Sequence, residues 1–252
     1  MAANLTSGND QSYDTPGIDI FQGLLPDVVL IQEFNYASGT LRSLVDTAFG
    51  TEFSFYVEPQ TGGIPNGVVS RFPITESGVW TDANTPDRAF VYARIDVPGP
   101  IDLWAVSVHL LTTGATERAT EATQLLGYVQ SQVPAGDYLV VGGDFNTDTT
   151  DEQALATLSA VVVTAPPCPA DQSGNTDSSI NRDHPHDWVL AGPSLDARKE
   201  PVVIGGGTFA NGLVFDSRVF TPLSDVPPVV STDSGATGMQ HMPVVRDFGL
   251  GD

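Results

Sequence analysis

The chain has 252 residues and a formal net charge of −21, from 31 acidic against 10 basic residues, and its only lysine is Lys199. No apolar run approaches the roughly 18 residues of a membrane span, and the single cysteine, Cys168, excludes an internal disulfide and a thiolate metal cluster. Such an acidic surface keeps a protein soluble and repels nucleic acid and anionic membranes at long range.

The first part of the chain alternates amphipathic helices with apolar strands. Apolar residues share a helical face over residues 18–25, and Pro26 ends that helix. The unbroken apolar run of residues 28–31 predicts a fully buried strand, which ends on the acid Glu33. Apolar residues recur at helical spacing over residues 41–49 and predict an amphipathic helix. Further strands are predicted at residues 53–57, 67–71 and 89–97.

Polar residues follow apolar strands again in the middle of the chain. Residues 102–110 predict a strand with His109 at its end, and a helix is expected over residues 115–133. The strand of residues 138–141 is followed by two glycines, where the chain can turn or another group can approach closely. Asp144 and Asn146 come next, and they point the same way if the backbone is extended. The alternative is an Asx turn that only caps the following helix.

The remaining elements are shorter. Thr150 and Gln153 fit a capping box for a helix over residues 154–158. Residues 161–163 predict a short strand, and residues 168–185 a polar, proline-rich loop. Another strand is predicted over residues 186–190, with Asp187 at its head, and His241 stands just before a last apolar strand. Because strands alternate with a few helices without a strict βαβ repeat or a change of composition, one α/β domain spanning residues 1–252, with mixed sheets, is expected.

The polar residues at these strand ends form a set with a common chemistry. Singly, a histidine at a strand end is more often a hydrogen-bonded structural residue. Together, the set offers hard oxygen ligands for Mg²⁺, two histidines and an acid that can orient a histidine, which is what phosphoryl chemistry needs. Its members are Glu33, His109, Asp144, Asn146, Asp187 and His241.

The order of these motifs resembles the endonuclease/exonuclease/phosphatase superfamily, which includes pancreatic-type deoxyribonucleases, apurinic-site endonucleases, sphingomyelinases and inositol polyphosphate phosphatases. The resemblance covers essentially the whole chain, and its most specific motif is Gly-Asp-Phe-Asn at residues 143–146. It implies two mixed β-sheets packed in a sandwich and flanked by helices, in four α/β/β/α layers. The matching segments are residues 26–33, 68–74, 106–110, 142–146, 186–190 and 241–244.

The resemblance also implies a metal site. Glu33 is expected to be the main ligand of Mg²⁺, with Mn²⁺ or Ca²⁺ as alternatives, and Asn4 to lie next to that metal. Asp144 would orient the attacking water or assist a metal. The family usually has aspartate before its last histidine, whereas this chain has Gln240. An amide can still bind a metal but brings no charge, which leaves a catalytically impaired member open.

The implied reaction is in-line attack of water on phosphorus, without a covalent enzyme intermediate. His241 would act as the general base or proton relay, with Asp187 fixing its tautomer. His109 would donate a hydrogen bond to the non-bridging or leaving oxygen. Asn146 would hold the phosphate, and Arg71 is one of the few cations that could approach it. The other such cations are Arg88, Arg94 and Arg182.

Three hypotheses for function follow. The first is a metal-dependent nuclease that cuts DNA, with RNA as a second substrate. The second is a hydrolase of a smaller phosphoester, either a lipid-headgroup diester or a phosphomonoester, and the third is a non-catalytic binding module suggested by Gln240. We expect a monomer without a membrane span or an obligate protein partner. The abundance of Gly, Pro, Thr and Asp suggests a secreted or periplasmic protein.

Overall fold

The computed structural model describes residues 1–7, 11–59 and 63–251. The helices are α1 (Ile18–Leu24), α2 (Leu41–Ala48), α3 (Ala115–Gln132), α4 (Gln153–Leu158) and α5 (Pro193–Asp196). The strands are β1 (Ala2–Asn4), β2 (Val28–Gln32), β3 (Ser54–Val57), β4 (Gly67–Ser70), β5 (Ile74–Trp80), β6 (Phe90–Ile95), β7 (Leu103–His109), β8 (Tyr138–Asp144), β9 (Asp187–Ala191), β10 (Lys199–Glu200), β11 (Val202–Ile204), β12 (Gly207–Phe209), β13 (Leu213–Val214), β14 (Val244–Val245) and β15 (Asp247–Phe248).

Most of these strands belong to two mixed sheets. Over the described residues, one sheet has six strands in the order β13-β14-β1-β2-β4-β3, and the other has five in the order β5-β6-β7-β8-β9. The pairs β1/β2 and β7/β8 are parallel, while the other neighbours in both sheets are antiparallel. The predicted α/β class with two mixed sheets in a sandwich flanked by helices is therefore confirmed.

Apolar burial holds the layers together. One core fills the space between the sheets and extends to α1 and α2, where Phe21 and Leu44 are buried. A second core joins the five-stranded sheet to α3 and α4, with Val108, Leu125 and Leu155 among its members. Helix α3 buries one face, as its spacing predicts. No helix among the described residues is long and apolar enough to cross a membrane.

The two sheets approach each other closely where β8 carries its two glycines. Gly143 has φ of +133°, and a Cβ at this position would lie 2.2 Å from the Val108 carbonyl oxygen and 2.4 Å from Gln32 Nε2. Gln32 Nε2 also donates to Ser107 Oγ at 2.9 Å, which links the two sheets. The predicted close approach is confirmed. The prediction that the glycines end the strand is wrong, because β8 continues to Asp144.

Gly143→Ala should destabilise the protein by about 3 kcal/mol, because the substitution adds backbone strain to an overpacked contact. Urea unfolding checks this value. The matched control is Gly127→Ala in α3, where a Cβ meets nothing within 4 Å. That substitution should stabilise the helix by about 0.5–1 kcal/mol. Equal effects at the two positions would contradict the proposed close packing of the sheets at β8.

Two local predictions differ from the structure, and one strand was not predicted. The predicted capping box of α4 is absent, because Glu152 is the N-cap residue and its carboxylate instead accepts from the Arg118 guanidinium at 2.6 and 2.8 Å. Residues 161–163 form a turn and not a strand, although Val163 N donates to Ala191 O. Strand β5 was not predicted, because it is a largely exposed edge strand without a clear apolar pattern.

Candidate active site

One edge of the sandwich collects polar side chains from both sheets. In the parallel pairs β1/β2 and β7/β8, the carboxyl ends lie at the same edge, so Asn4 pairs with Gln32 and His109 with Asp144. The antiparallel strand β9 starts at this edge, where Asp187 pairs with Asp144. The segment that precedes β14 also reaches this edge and brings His241 to it. The residues brought together are Asn4, Glu33, His109, Asp144, Asn146, Asp187 and His241.

A single carboxylate oxygen lies at the centre of this group. Asp144 Oδ2 accepts a hydrogen bond from Asn4 Nδ2 at 3.0 Å. The same oxygen lies 3.4 Å from His109 Nε2 and 3.5 Å from His241 Nε2. Asp144 Oδ1 accepts from Asn146 N at 2.9 Å, and the residue is only 1% exposed. Both sheets therefore converge on Asp144.

Asn4 lies between two carboxylates. Its Nδ2 is 3.4 Å from Glu33 Oε1 as well as 3.0 Å from Asp144 Oδ2, and its Oδ1 accepts from Thr6 N at 2.8 Å. The Thr6 contact fixes which end of the amide is the donor. These contacts place Asn4 as a donor between Glu33 and Asp144. Its expected place next to a metal held by Glu33 remains a prediction.

His241 and Asp187 form a buried pair. His241 Nδ1 donates to Asp187 Oδ2 at 3.0 Å, so that Nε2 faces Asp144. Ser178 Oγ donates to the same Asp187 oxygen at 2.8 Å and accepts from Asp187 N at 2.7 Å. Sequence reasoning missed Ser178, because nothing in an irregular proline-rich loop marks which hydroxyl returns to a strand nine residues later.

His109 and Asn146 are held through the backbone that follows β7. Arg88 Nε donates to the His109 carbonyl oxygen at 2.7 Å, and Asn146 Nδ2 donates to the Leu110 carbonyl oxygen at 2.9 Å. Asn146 has φ of +50°, and its N–H binds Asp144 Oδ1. Residues 144–146 therefore form an Asx turn and not the expected extended backbone, but this turn does not cap the following helix, whose N-cap is Glu152. The second hydrogen of the Asn146 amide remains for a substrate oxygen.

Burial and neighbouring charges set the protonation of the site. Burial raises the pKa of Asp144 to about 6, while His241 opposes and Asp187 adds to this shift. Burial lowers the pKa of His241, but the carboxylates of Asp187 and Asp144 outweigh it and raise the value to about 10. Burial, Arg88 and His241 hold the pKa of His109 well below its usual range. At neutral pH without a cation, His241 is thus charged and His109 is neutral.

Two predicted site residues lie outside this group. Arg71 follows Ser70, which pairs with the first residue of β2, whereas Glu33 follows the last residue of that strand. Arg71 also forms an ion pair with Asp27 at 2.9 Å, so its predicted contact with a substrate phosphate is wrong. Gln240 stands next to His241 in the chain, but its side chain is exposed, and a metal-binding role for it remains a prediction.

The donor set fits a hard divalent cation. Ligand atoms of Asp144, Asp187 and His241 lie within 4.8 Å of one another, and all three residues are buried. Asp187 Oδ1 is buried and has no hydrogen-bond partner among the described residues. An unpaired carboxylate oxygen is costly to bury, and a cation would satisfy it. With Glu33 beside this cluster, the oxygen-rich set suits Mg²⁺, Mn²⁺ or Ca²⁺ better than a soft metal.

A buried acid supports the backbone next to His109. Glu121 Oε1 and Oε2 accept from Leu111 N at 3.2 and 3.0 Å. Burial raises the pKa of Glu121 to about 8; the Leu111 N–H opposes this shift and the carboxylate of Asp82 adds to it. The folded protein therefore retains a proton that the unfolded chain loses near the ordinary pKa of 4.5.

The free energy of unfolding of the wild-type protein should fall as pH rises from 5 to 9, because the folded state binds the Glu121 proton more tightly. Glu121→Gln mimics the protonated side chain and removes this pH-dependent contribution to the free energy of unfolding. Each pKa unit corresponds to about 1.4 kcal/mol, so the variant should gain at least that much over wild type across this range. Urea unfolding at both pH values, with a chelator present, measures the difference. A constant difference would contradict the raised pKa.

The chain matches the endonuclease/exonuclease/phosphatase family over residues 11–225. No curated protein matches it in sequence. A functionally unknown conserved protein from Enterococcus faecalis V583 has a TM-score of 0.65 at 11% identity, with 98% of each chain covered.

Two further structures are similar. An endonuclease/exonuclease/phosphatase family protein from Leptotrichia buccalis C-1013-b has a TM-score of 0.61 at 13% identity, covering 98% of this chain and 97% of its own. A beta hairpin deletion mutant of beta toxin from Staphylococcus aureus has a TM-score of 0.57 at 18% identity, covering 76% of this chain and 85% of its own. At these identities the structural likeness establishes the shared fold alone.

Proposed function

Because the chain belongs to the endonuclease/exonuclease/phosphatase family, we propose that it is a divalent-metal-dependent phosphodiesterase, with DNA as its first candidate substrate and RNA as a second. The observation that carries this proposal is the convergence of Asn4, His109 and His241 on one buried oxygen of Asp144. Carboxylates and imidazoles at this spacing suit a reaction in which water attacks phosphorus while negative charge builds on the phosphate oxygens.

The carboxylates of Glu33, Asp144 and Asp187 would hold the cation. When bound, a divalent ion supplies Lewis-acid neutralisation of phosphate charge. Asp144 is the proposed acceptor of the proton of the attacking water, since its Oδ2 is the one carboxylate oxygen that Asn4, His109 and His241 all approach. As the bond from water to phosphorus forms, the bond to the leaving oxygen breaks in line with it.

This assignment changes the role expected for His241. Its Nε2 faces Asp144 while Asp187 holds Nδ1, so that the protonated imidazole would donate to a phosphate oxygen and not act as the base. Asp187 keeps the ring charged and oriented through Nδ1. His109, held neutral, offers an N–H to a leaving or non-bridging oxygen, and the free hydrogen of the Asn146 amide can bind the phosphate.

The arginines favour a second candidate, a smaller phosphodiester such as a lipid headgroup. Among the described residues, every arginine except Arg198 forms an ion pair with a carboxylate. Arg198 itself donates to the Gly249 carbonyl oxygen. A protein that tracks duplex DNA needs free cations along the phosphate backbone. The net charge of −21 would repel a long polyanion unless bound divalent ions offset it.

Purified protein should be incubated with Mg²⁺, Mn²⁺ or Ca²⁺ and four substrates: plasmid DNA, RNA, bis(p-nitrophenyl) phosphate and p-nitrophenyl phosphate. We expect metal-dependent hydrolysis of the diesters and loss of activity with a chelator. Hydrolysis of bis(p-nitrophenyl) phosphate with intact DNA and RNA would reject the nuclease and support the small diester. Turnover of the monoester alone would reject the diesterase. Retained metal binding without turnover of any substrate would support the binding-module hypothesis.

A further inference from the structure

Two histidines that the mechanism does not use lie beside the catalytic group. The rings of His184 and His186 are 5.5 Å apart between centroids and only 3° from parallel. The ring of His186 lies 5.8 Å from that of His241 at an angle of 47°. The side chain of His184 is 43% exposed, whereas His241 is buried. The three rings thus run from the protein surface to the site.

Neighbouring groups hold the two rings in place. In His184-Pro185-His186, the central proline restricts the backbone of His184. His184 Nδ1 lies 3.2 Å from the Asp148 carbonyl oxygen, which orients the ring. The His186 carbonyl oxygen accepts from Phe145 N at 2.7 Å. The pair is therefore fixed before any ligand binds, which lowers the entropy cost of binding.

A preformed pair of flat rings next to a phosphate site matches a ligand that has a flat ring next to a phosphate. Nucleobases stack on aromatic side chains with little sequence preference, and this contact needs no cation. That matters here because the arginines are bound to carboxylates. We propose that the His184–His186 pair binds an unstacked nucleobase adjoining the scissile phosphate, so that the substrate class is a single-stranded or short nucleotide diester. This inference rests on the proposed phosphodiesterase function and specifies its substrate.

Two matched esters test the proposal. Thymidine 5′-(p-nitrophenyl phosphate) and its abasic 2-deoxyribose counterpart share the sugar, the phosphate and the leaving group, and differ only in the base. The wild-type protein should prefer the thymidine ester by about tenfold in kcat/KM. The double variant His184→Ala/His186→Ala should lose this preference through a higher KM for the thymidine ester, while its kcat and its rate on the abasic ester stay near wild type. His184→Phe/His186→Phe should keep the preference, since it retains the flat rings.

A second readout does not depend on turnover. The fluorescence of 2-aminopurine deoxyriboside 5′-monophosphate should be quenched on binding to the wild-type protein and to the phenylalanine variant, but not to the alanine variant. Equal kcat/KM for the two esters, or a preference unchanged in the alanine variant, would overturn the proposal. If neither ester is hydrolysed, the proposed function fails, and the fluorescence then decides: quenching lost only in the alanine variant supports base stacking, and no quenching overturns it.

Discussion

Asp144→Asn should lower turnover of bis(p-nitrophenyl) phosphate by about a thousandfold or more. The substitution keeps the size of the side chain but removes the charge from the oxygen that Asn4, His109 and His241 all approach. It removes the proposed proton acceptor and a cation ligand together, and each such loss alone is worth about a hundredfold or more. Steady-state kinetics at saturating metal measures the effect.

Stability provides the control for this variant. Burial already disfavours the ionised form of Asp144, as its pKa of about 6 shows, so a neutral amide should leave the metal-free protein at least as stable at pH 8. Thermal unfolding with a chelator present checks this. A variant within tenfold of wild-type turnover would remove Asp144 from the reaction. A loss of activity together with a loss of stability would indicate instead that the fold, and not the chemistry, was damaged.

His241→Ala should lower turnover by at least about a hundredfold, because it removes the only charged imidazole that faces Asp144. Asp187→Asn should cause a loss of similar order, since Asp187 Oδ2 is the partner that keeps the ring charged and oriented. If the two residues act as a unit, the double variant should be little worse than His241→Ala. Kinetics of the wild type and the three variants measures the coupling.

Two results would contradict this account. Near-wild-type turnover of His241→Ala would show that the site does not depend on the imidazole. Losses that multiply in the double variant would show that Asp187 contributes only through the cation that its unpaired Oδ1 would hold, and not through the ring of His241.

The sequence predicts the strand ends better than it predicts what surrounds them. Unbroken apolar runs locate β2, β7 and β8 because burial on both faces leaves little choice of residue. Parallel pairing then brings Glu33, His109 and Asp144 to one edge. These parts of the site follow from local pattern combined with the family resemblance.

Contacts between distant, irregular segments could not be predicted in this way. The sequence next to Arg71 does not indicate its partner. The register of β2 and β4 places Asp27 beside it. The N-cap of α4 is Glu152 and not the predicted Thr150, and the Glu152 carboxylate pairs with Arg118, which lies 34 residues earlier. Ser178 reaches Asp187 from a loop. In each of these contacts the two partners come together only in the completed fold, so local sequence propensity cannot predict them.

The division of the site between the two sheets has a consequence for how activity is lost. Asn4 belongs to the six-stranded sheet, and Glu33 directly follows one of its strands. His109, Asp144 and Asp187 belong to the five-stranded sheet, and the Asn4–Asp144 hydrogen bond joins residues 140 positions apart. Neither sheet alone carries the full set of site residues. Catalysis would therefore stop as soon as the two sheets shift or separate, even while each sheet keeps its own hydrogen bonds. The rate of hydrolysis would thus report sensitively on how the two sheets are packed against each other.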